Sequence, residues 1–258
     1  MAQFKVLGPL EILAGERICA PSQPKVRSVL ALLLLRSGRV VPMDTLIEEL
    51  WGFESPPTAV ATVQTYIYQL RRMFEEQELN PFGGQLIVTR PTGYLIRAEP
   101  EQLDAAVFER LARQGRMLLE AGRTSEAADV LYRALDMWTG PALADVRRGN
   151  LLDAYAVHLE ERRISTLELQ IQADVRLGKH SELIGELRSL VSTHPLNEWF
   201  HGQLMMALSR AGRRSEALQA YQCLRAVLRD ELGVDPSPEL QRLQHQVLSA
   251  GNSLTARA

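Results

Sequence analysis

Thr58, Thr62, Thr65, Gln69 and Arg72 follow one another at spacings of 4, 3, 4 and 3. On a helix that spacing draws one stripe along one face. The stripe holds hydroxyls, an amide and a guanidinium, with no carboxylate. Gln64, Tyr68 and Arg71 flank it, and Glu75 and Glu76 come only at its end. An ordinary solvated helix face mixes Glu with Lys, because opposite charges four residues apart stabilise it. These groups suit a DNA duplex instead. Gln and Arg pair with base edges through two hydrogen bonds, and Thr offers a hydroxyl and a methyl to a phosphate or a thymine. The plainer alternative is a polar face left to water.

Two smaller sets point the same way. Arg90 and Thr92 belong to the turn Arg90-Pro91-Thr92-Gly93, and a hairpin tip carrying Arg suits a phosphate or a minor groove. An exposed turn with an incidental Arg is the competing reading. Lys25 and Arg27 fall in the first turn of a predicted helix, where cations oppose the helix dipole. A nearby phosphate explains that placement, and so does plain solvation.

The elements that must position these residues are legible as periods. Phe4, Val6, Leu10 and Ile12 fall on even positions between Gly8-Pro9 and Ala14-Gly15, which predicts short strands over 3–20. A helix with Val29, Leu30, Leu32 and Leu33 on its apolar face starts near Lys25 and ends at Ser37-Gly38. A second follows Pro42, with Asp44 as its expected N-cap and Leu46, Ile47, Leu50 and Trp51 buried. A third runs from Thr58 to Gln77, with Val63, Ile67, Leu70 and Phe74 facing inward. Leu86-Ile87-Val88-Thr89 and Tyr94-Leu95-Ile96-Arg97 then flank the Pro/Gly turn as a hairpin. Strands, three helices and a hairpin make a winged helix-turn-helix with an N-terminal sheet, the hairpin being the wing. Residues 1–97 are expected to close one core and fold alone.

From Asp104 onward the pattern is helical, and it repeats. Gly122-Arg123-Thr124-Ser125-Glu126-Ala127 returns as Gly178-Lys179-His180-Ser181-Glu182-Leu183 and as Gly212-Arg213-Arg214-Ser215-Glu216-Ala217. The last two copies lie 34 residues apart, the tetratricopeptide (TPR) period. The first pair is wider, which places an insertion around Trp138 to Asn150. In each copy Gly is expected to end one helix and Ser to cap the next. Residues 98–250 thus form an all-α, TPR-like array of helical hairpins, and 251–258 a flexible tail. The fold class is α+β in the first part and all-α in the second.

Composition bounds the partners. The 258 residues are 46% hydrophobic and 23% charged, an ordinary globular balance, and 29 basic against 31 acidic side chains exclude a strongly basic coat. Residues 1–97 hold ten basic and nine acidic side chains, net +1, so the case for DNA rests on placement rather than on total charge. Only Lys5, Lys25 and Lys179 are lysines. Cys19 and Cys223 lie about 200 residues apart, too few and too distant for a disulfide framework or a zinc site. His158, His180, His194, His201 and His245 show no metal spacing. There is no G-x-x-x-x-G-K-[ST] nucleotide loop and no G-x-S-x-G elbow, so neither a cofactor nor an enzymatic activity is expected. No apolar run is long enough to cross a membrane and no signal peptide is recognisable. The expected location is cytoplasmic and nucleoid-associated.

Several stretches carry a family resemblance: LGPLEIL, PKVRSVLALLLLRSGRVV, LIEELWG, PPTAVATVQTYIYQLRRMF and TRPTGYLIR in the first half, then DVLYRALDMWTGPALADV and HPLNEWFHGQLMMALSRAGRRSEALQAYQCLRAVLRDELGVDPSPEL. Together they resemble a small member of the Streptomyces antibiotic regulatory protein (SARP) family, an OmpR-type winged helix followed by a bacterial transcriptional activator domain. The resemblance implies a sequence-specific activator that binds direct repeats near the −35 element, pairs as a homodimer at least on DNA, and recruits RNA polymerase holoenzyme through its sigma factor at a secondary-metabolite gene cluster. It implies a recognition helix at 58–76, a wing at 89–94, and a polymerase contact at the 51–57 loop with Glu48, Glu49 and Glu54. The alternative is a protein-interaction scaffold with TPR-like repeats and a winged helix that does not bind DNA.

Overall fold

The computed structural model describes residues 2–15, 17–79 and 84–249. The tail expected over 251–258 lies outside them. Strands β1 (Ala2–Lys5), β2 (Glu11–Ala14) and β3 (Arg17–Cys19) form an antiparallel sheet in that order, with Phe4 opposite Ile12 and Ile12 opposite Cys19. The even-numbered Phe4, Val6, Leu10 and Ile12 are all fully buried, as period-two alternation requires.

Helix α1 (Pro24–Leu35) starts on a proline, whose missing N–H is no loss at a helix start. It is buried nearly all round, and its one buried polar side chain, Ser28, donates to the carbonyls of Pro24 and Arg147. Strand β4 (Val41–Pro42) leads into α2 (Met43–Trp51). Pro42, not Asp44, occupies the N-cap; Asp44 sits in the first turn, and the Met43 amide is satisfied by the Thr92 carbonyl at 2.9 Å. Gly52, at φ +60°, ends α2. Helix α3 (Ala59–Glu76) buries Ala59, Val63, Ile67, Leu70 and Phe74. Strands β5 (Ile87–Arg90) and β6 (Gly93–Ile96) form the hairpin, and β6 pairs with β4 on its other edge. A Cβ on Gly93 would lie 2.0 Å from the Val41 carbonyl oxygen, so this close strand crossing admits only glycine.

After a short turn of 3-10 helix at Pro100–Gln102 the chain is helical: α4 (Asp104–Glu120), α5 (Thr124–Leu135), α6 (Asn150–Arg176), α7 (His180–Thr193), α8 (Glu198–Arg210), α9 (Arg214–Leu232) and α10 (Pro238–Ser249). Gly122, Gly178 and Gly212 end their helices at φ near +75° to +80°. The serines of the repeat do not cap. Ser125, Ser181 and Ser215 lie inside the first turns, and the cap positions belong to Arg123, Lys179 and Arg213. Arg123 and Arg213 instead reach forward to Glu126 and Glu216, acids placed where the helix N-terminus favours them. Residues 136–149, where the repeat spacing widens, are not helical.

Two compact units result, Met1–Gln170 and Ile171–Ala258. The first has a continuous apolar core running from Ala2 to Leu159, so the core of the winged helix continues past residue 97 into the helices that follow. The Asp104 carboxylate accepts the amides of Val6 and Leu7 at 2.9 and 3.0 Å, and Asp145 accepts that of Leu10 at 2.8 Å. Thr139, Leu143 and Ala144 donate their amides to Leu7, Val6 and Gly8. The loop between β1 and β2 satisfies its backbone on residues about a hundred positions away. The second unit has a separate core of Met205, Tyr221, Leu224, Leu228 and Leu240.

Candidate nucleic-acid interface

The α3 face opposite the buried stripe carries Thr58, Ala61, Gln64, Thr65, Tyr68 and Arg72, all exposed. Tyr68 is 65% exposed and has an apolar body with a polar tip. Thr62 and Gln69 sit half-buried at one margin. The hydroxyls of Thr62 and Thr65 donate to the carbonyls of Thr58 and Ala61, four residues back, which leaves their oxygens free to accept and their methyls available. Ala61 was not singled out from the sequence, because a small apolar residue carries no polar signal. Its place among the exposed residues makes it a candidate for a thymine methyl.

The two arginines have different jobs. Arg71 is half-buried and donates to the Ile87 carbonyl through Nε and Nη2, at 3.1 and 3.0 Å, and to Thr89 Oγ1 at 2.8 Å. It clamps α3 to the first wing strand. Arg72 is exposed and pairs with Glu76 at 2.7 Å, one helical turn on. Hydrogen bonding to that carboxylate raises the guanidinium's already high pKa. A pair this exposed is screened by water and exchanges readily for another anion. Arg90, Pro91 and Thr92 are exposed at the wing tip, and the Met43 amide bonded to Thr92 anchors that tip to the start of α2. Among the described residues the Arg90 side chain has no hydrogen-bond or ion-pair partner.

Lys25 and Arg27 separate. Lys25 Nζ lies 4.1 Å from the centre of the Trp51 ring and remains available to a ligand. Arg27 is engaged inside the fold, with Nε on the Pro21 carbonyl at 2.7 Å and Nη1 paired with Asp145. Its expected contact to a phosphate is replaced by a link between α1 and the 139–149 segment.

The three glutamates separate too. Glu48 and Glu54 are exposed. Glu49 is 6% exposed, and its carboxylate accepts the amides of Gly149, Leu151 and Leu152 at 2.6, 2.8 and 3.2 Å. It caps the start of α6 and is not at the surface to meet polymerase. Beside them Phe53 is fully exposed in the loop between α2 and α3, a large apolar side chain that the search for charged residues passed over. Among the described residues no group of His, Cys, Asp and Glu is arranged to hold a metal ion, and no helix is long and apolar enough to cross a membrane.

Residues 20–96 match the model of the family described as "Transcriptional regulatory protein, C terminal", and residues 103–248 that of the "Bacterial transcriptional activator domain". Regulatory protein DnrI of Streptomyces peucetius is 41% identical over 251 residues, which cover 96% of this chain and 92% of that protein. The chain belongs to the SARP family. Regulatory protein AfsR of Streptomyces coelicolor is 40% identical over 98% of this chain, which spans 25% of AfsR. The solved structure of Mycobacterium tuberculosis EmbR, in complex with a low-affinity phosphopeptide, superposes with a TM-score of 0.89 at 31% identity, covering 96% of this chain and 65% of that one. As a SARP regulator the chain is a transcriptional regulator with an OmpR-type winged helix and a TPR-like helical domain.

Proposed function

We propose that this SARP regulator is a sequence-specific, DNA-binding transcriptional activator of a secondary-metabolite gene cluster. Two copies bind direct repeats near a −35 element and recruit RNA polymerase through its sigma factor. The observation that carries the reading is the outward face of α3. Thr58, Gln64, Thr65, Tyr68 and Arg72 offer donors, acceptors and an aromatic ring on one exposed surface, with Ala61 leaving room for a methyl. That is the chemistry of major-groove readout, and the free cation of Arg90 at the wing tip suits the backbone or minor groove beside it.

Glu48 on α2 and Glu54 on the loop that follows it are exposed and lie outside α3. Carboxylates repel phosphates, so near DNA they favour solvent or a basic protein partner. Charge reversal there separates binding from activation. Glu48→Lys with Glu54→Lys is expected to bind promoter DNA at least as tightly as the parent and to lose stimulation of transcription from a promoter with a poor −35 element. Retained stimulation with unchanged binding would place recruitment elsewhere. The scaffold alternative predicts no salt-dependent DNA affinity, and the same gel-shift series measures that.

A further inference from the structure

Beside the loop that connects α2 to α3 lies a recess of about 180 Å³ with Lys25, Trp51, Arg147 and Arg148 on its walls. Its cationic wall comes from two parts of the chain. Lys25 opens α1, whereas Arg147 belongs to the segment before α6. Both are held from below. Lys25 Nζ stands over the Trp51 ring, and the Arg147 backbone is fastened by Ser28 Oγ, 2.5 Å from its carbonyl oxygen. Two residues on, Gly149 passes so close to α2 that a Cβ there would lie 2.3 Å from the Glu49 carbonyl oxygen. The chain carrying Arg147 is therefore pinned against the winged helix.

Neither cation is neutralised. Among the described residues Lys25 and Arg147 have no carboxylate partner. Of the two carboxylates at the recess, Glu49 is consumed by three amides, and Glu48 pairs with neither cation. Arg148 is already paired with Asp153 at 3.4 Å. Burial makes Lys25 harder to protonate than an ordinary lysine, and the charge of Arg147 beside it adds to the effect. Two like charges held close with no counter-charge are unfavourable until an anion joins them.

We propose that Lys25 and Arg147 form a phosphate-binding site, and that its occupant is a backbone phosphate of the DNA met by α3. The helical region would then touch the duplex directly. A phosphate group takes several N–H donors at once, as an arginine and a lysine side by side supply. Free nucleotides and other small ligands take deeper cavities of roughly 300 Å³ or more, whereas this recess is smaller and open. The recess also borders Gly52, from which residues 53–58 lead straight into α3, and DNA backbone flanks any helix seated in a groove. The proposal rests on the DNA-binding reading, and its test keeps the two apart.

Full-length parent, Arg147→Ala, Arg147→Lys, Lys25→Gln and Arg72→Ala would be titrated onto two duplexes at several KCl concentrations. One duplex is the operator recovered by selection from random-sequence DNA, the other a scrambled control. Each phosphate contact contributes about 0.9 to the slope of log affinity against log salt. Because they share one phosphate, Arg147→Ala and Lys25→Gln should each flatten that slope on both duplexes by a part of about 0.9, and leave the ratio between duplexes unchanged. Arg147→Lys should restore the slope, because charge rather than shape is at stake. Unchanged slopes in both neutral variants, with Arg72→Ala still weakened, would overturn the phosphate site alone. A parent that binds neither duplex would overturn the DNA reading and this site with it. Inorganic phosphate and ATP are titrated calorimetrically as the second arm. Binding of either that Arg147→Ala abolishes, with DNA slopes unchanged, would overturn the DNA assignment in favour of a free phosphate ligand.

Discussion

At the scale of single residues, the carboxylates Asp104 and Glu49 matter as much as the exposed readers. Both are buried, and each accepts several backbone amides that would otherwise lie unsatisfied in the core. Removing the Glu49 carboxylate strands three amides at the start of α6. Glu49→Ala should destabilise the chain by about 2–3 kcal/mol, lowering the melting temperature by roughly 5–10 °C. Calorimetry measures the loss, and the folded variant should still bind DNA. An unchanged melting temperature would show that those amides find water instead. For Asp104, burial pushes the carboxyl up to about 6, against the pull of the amides of Leu7, Val6 and Ala105. A folded pKa above the unfolded one means that the group's favourable contribution is complete below about pH 4 and is lost as pH rises through 6. Asp104→Asn cannot titrate, so this loss should vanish. The melting temperature of the variant minus that of the parent should rise steadily from pH 4.5 to pH 7, whatever constant offset comes from the amide that Asn cannot accept. A difference independent of pH would contradict the assignment.

At the scale of elements, Arg71 ties the wing to α3, and the Thr92 carbonyl ties it to the start of α2. Those elements were legible in the sequence to within a residue or two, since their cores follow periods of 2 and 3.6. Phe4 and Ile12 in the sheet, and Val63, Ile67, Leu70 and Phe74 in α3, are buried as the spacing predicts. The exposed face of α3 was legible in part: Thr58, Thr65 and Arg72 of the expected stripe are exposed, whereas Thr62 and Gln69 are half-buried and Ala61, Gln64 and Tyr68 fill the outward face. What spacing could not reveal is which polar residues have distant partners. Glu49 bonds to residues 100 to 103 positions away, and Arg27 to one 118 positions away. Nothing local distinguishes them from the exposed Glu48 or the available Lys25. The repeat serines misled because a Gly-x-x-Ser string resembles a cap, while the backbone places the cap of each helix two residues earlier. The shared core carries its own prediction. Residues 1–97 alone would expose the apolar surface that α4 to α6 cover, and would leave the amides of Val6, Leu7 and Leu10 without acceptors. This fragment should lack a cooperative thermal transition by circular dichroism, whereas the full chain shows one. A fragment that melts as sharply as the full chain would show that the winged helix is independent after all.

At the scale of the whole molecule, the winged helix proposed to read DNA is braced by the helices that follow it. Two such molecules on adjacent direct repeats gain affinity through effective concentration whenever they touch. Titration on one-site and two-site operators should show the second site filling about tenfold more tightly than an isolated one. Independent filling would remove protein–protein contact from the picture. The most direct test of the central claim is the ratio of affinities for a selected operator and a scrambled duplex, measured by fluorescence anisotropy near physiological salt for the full-length parent and for Tyr68→Ala with Arg72→Ala. A base-reading contact is worth about 1–3 kcal/mol, or roughly five- to 150-fold in affinity. The account predicts that the double variant keeps its scrambled-duplex affinity within about tenfold and loses most of the parent's preference for the operator. A double variant that preserves the full ratio would mean that the outward face of α3 does not read the sequence.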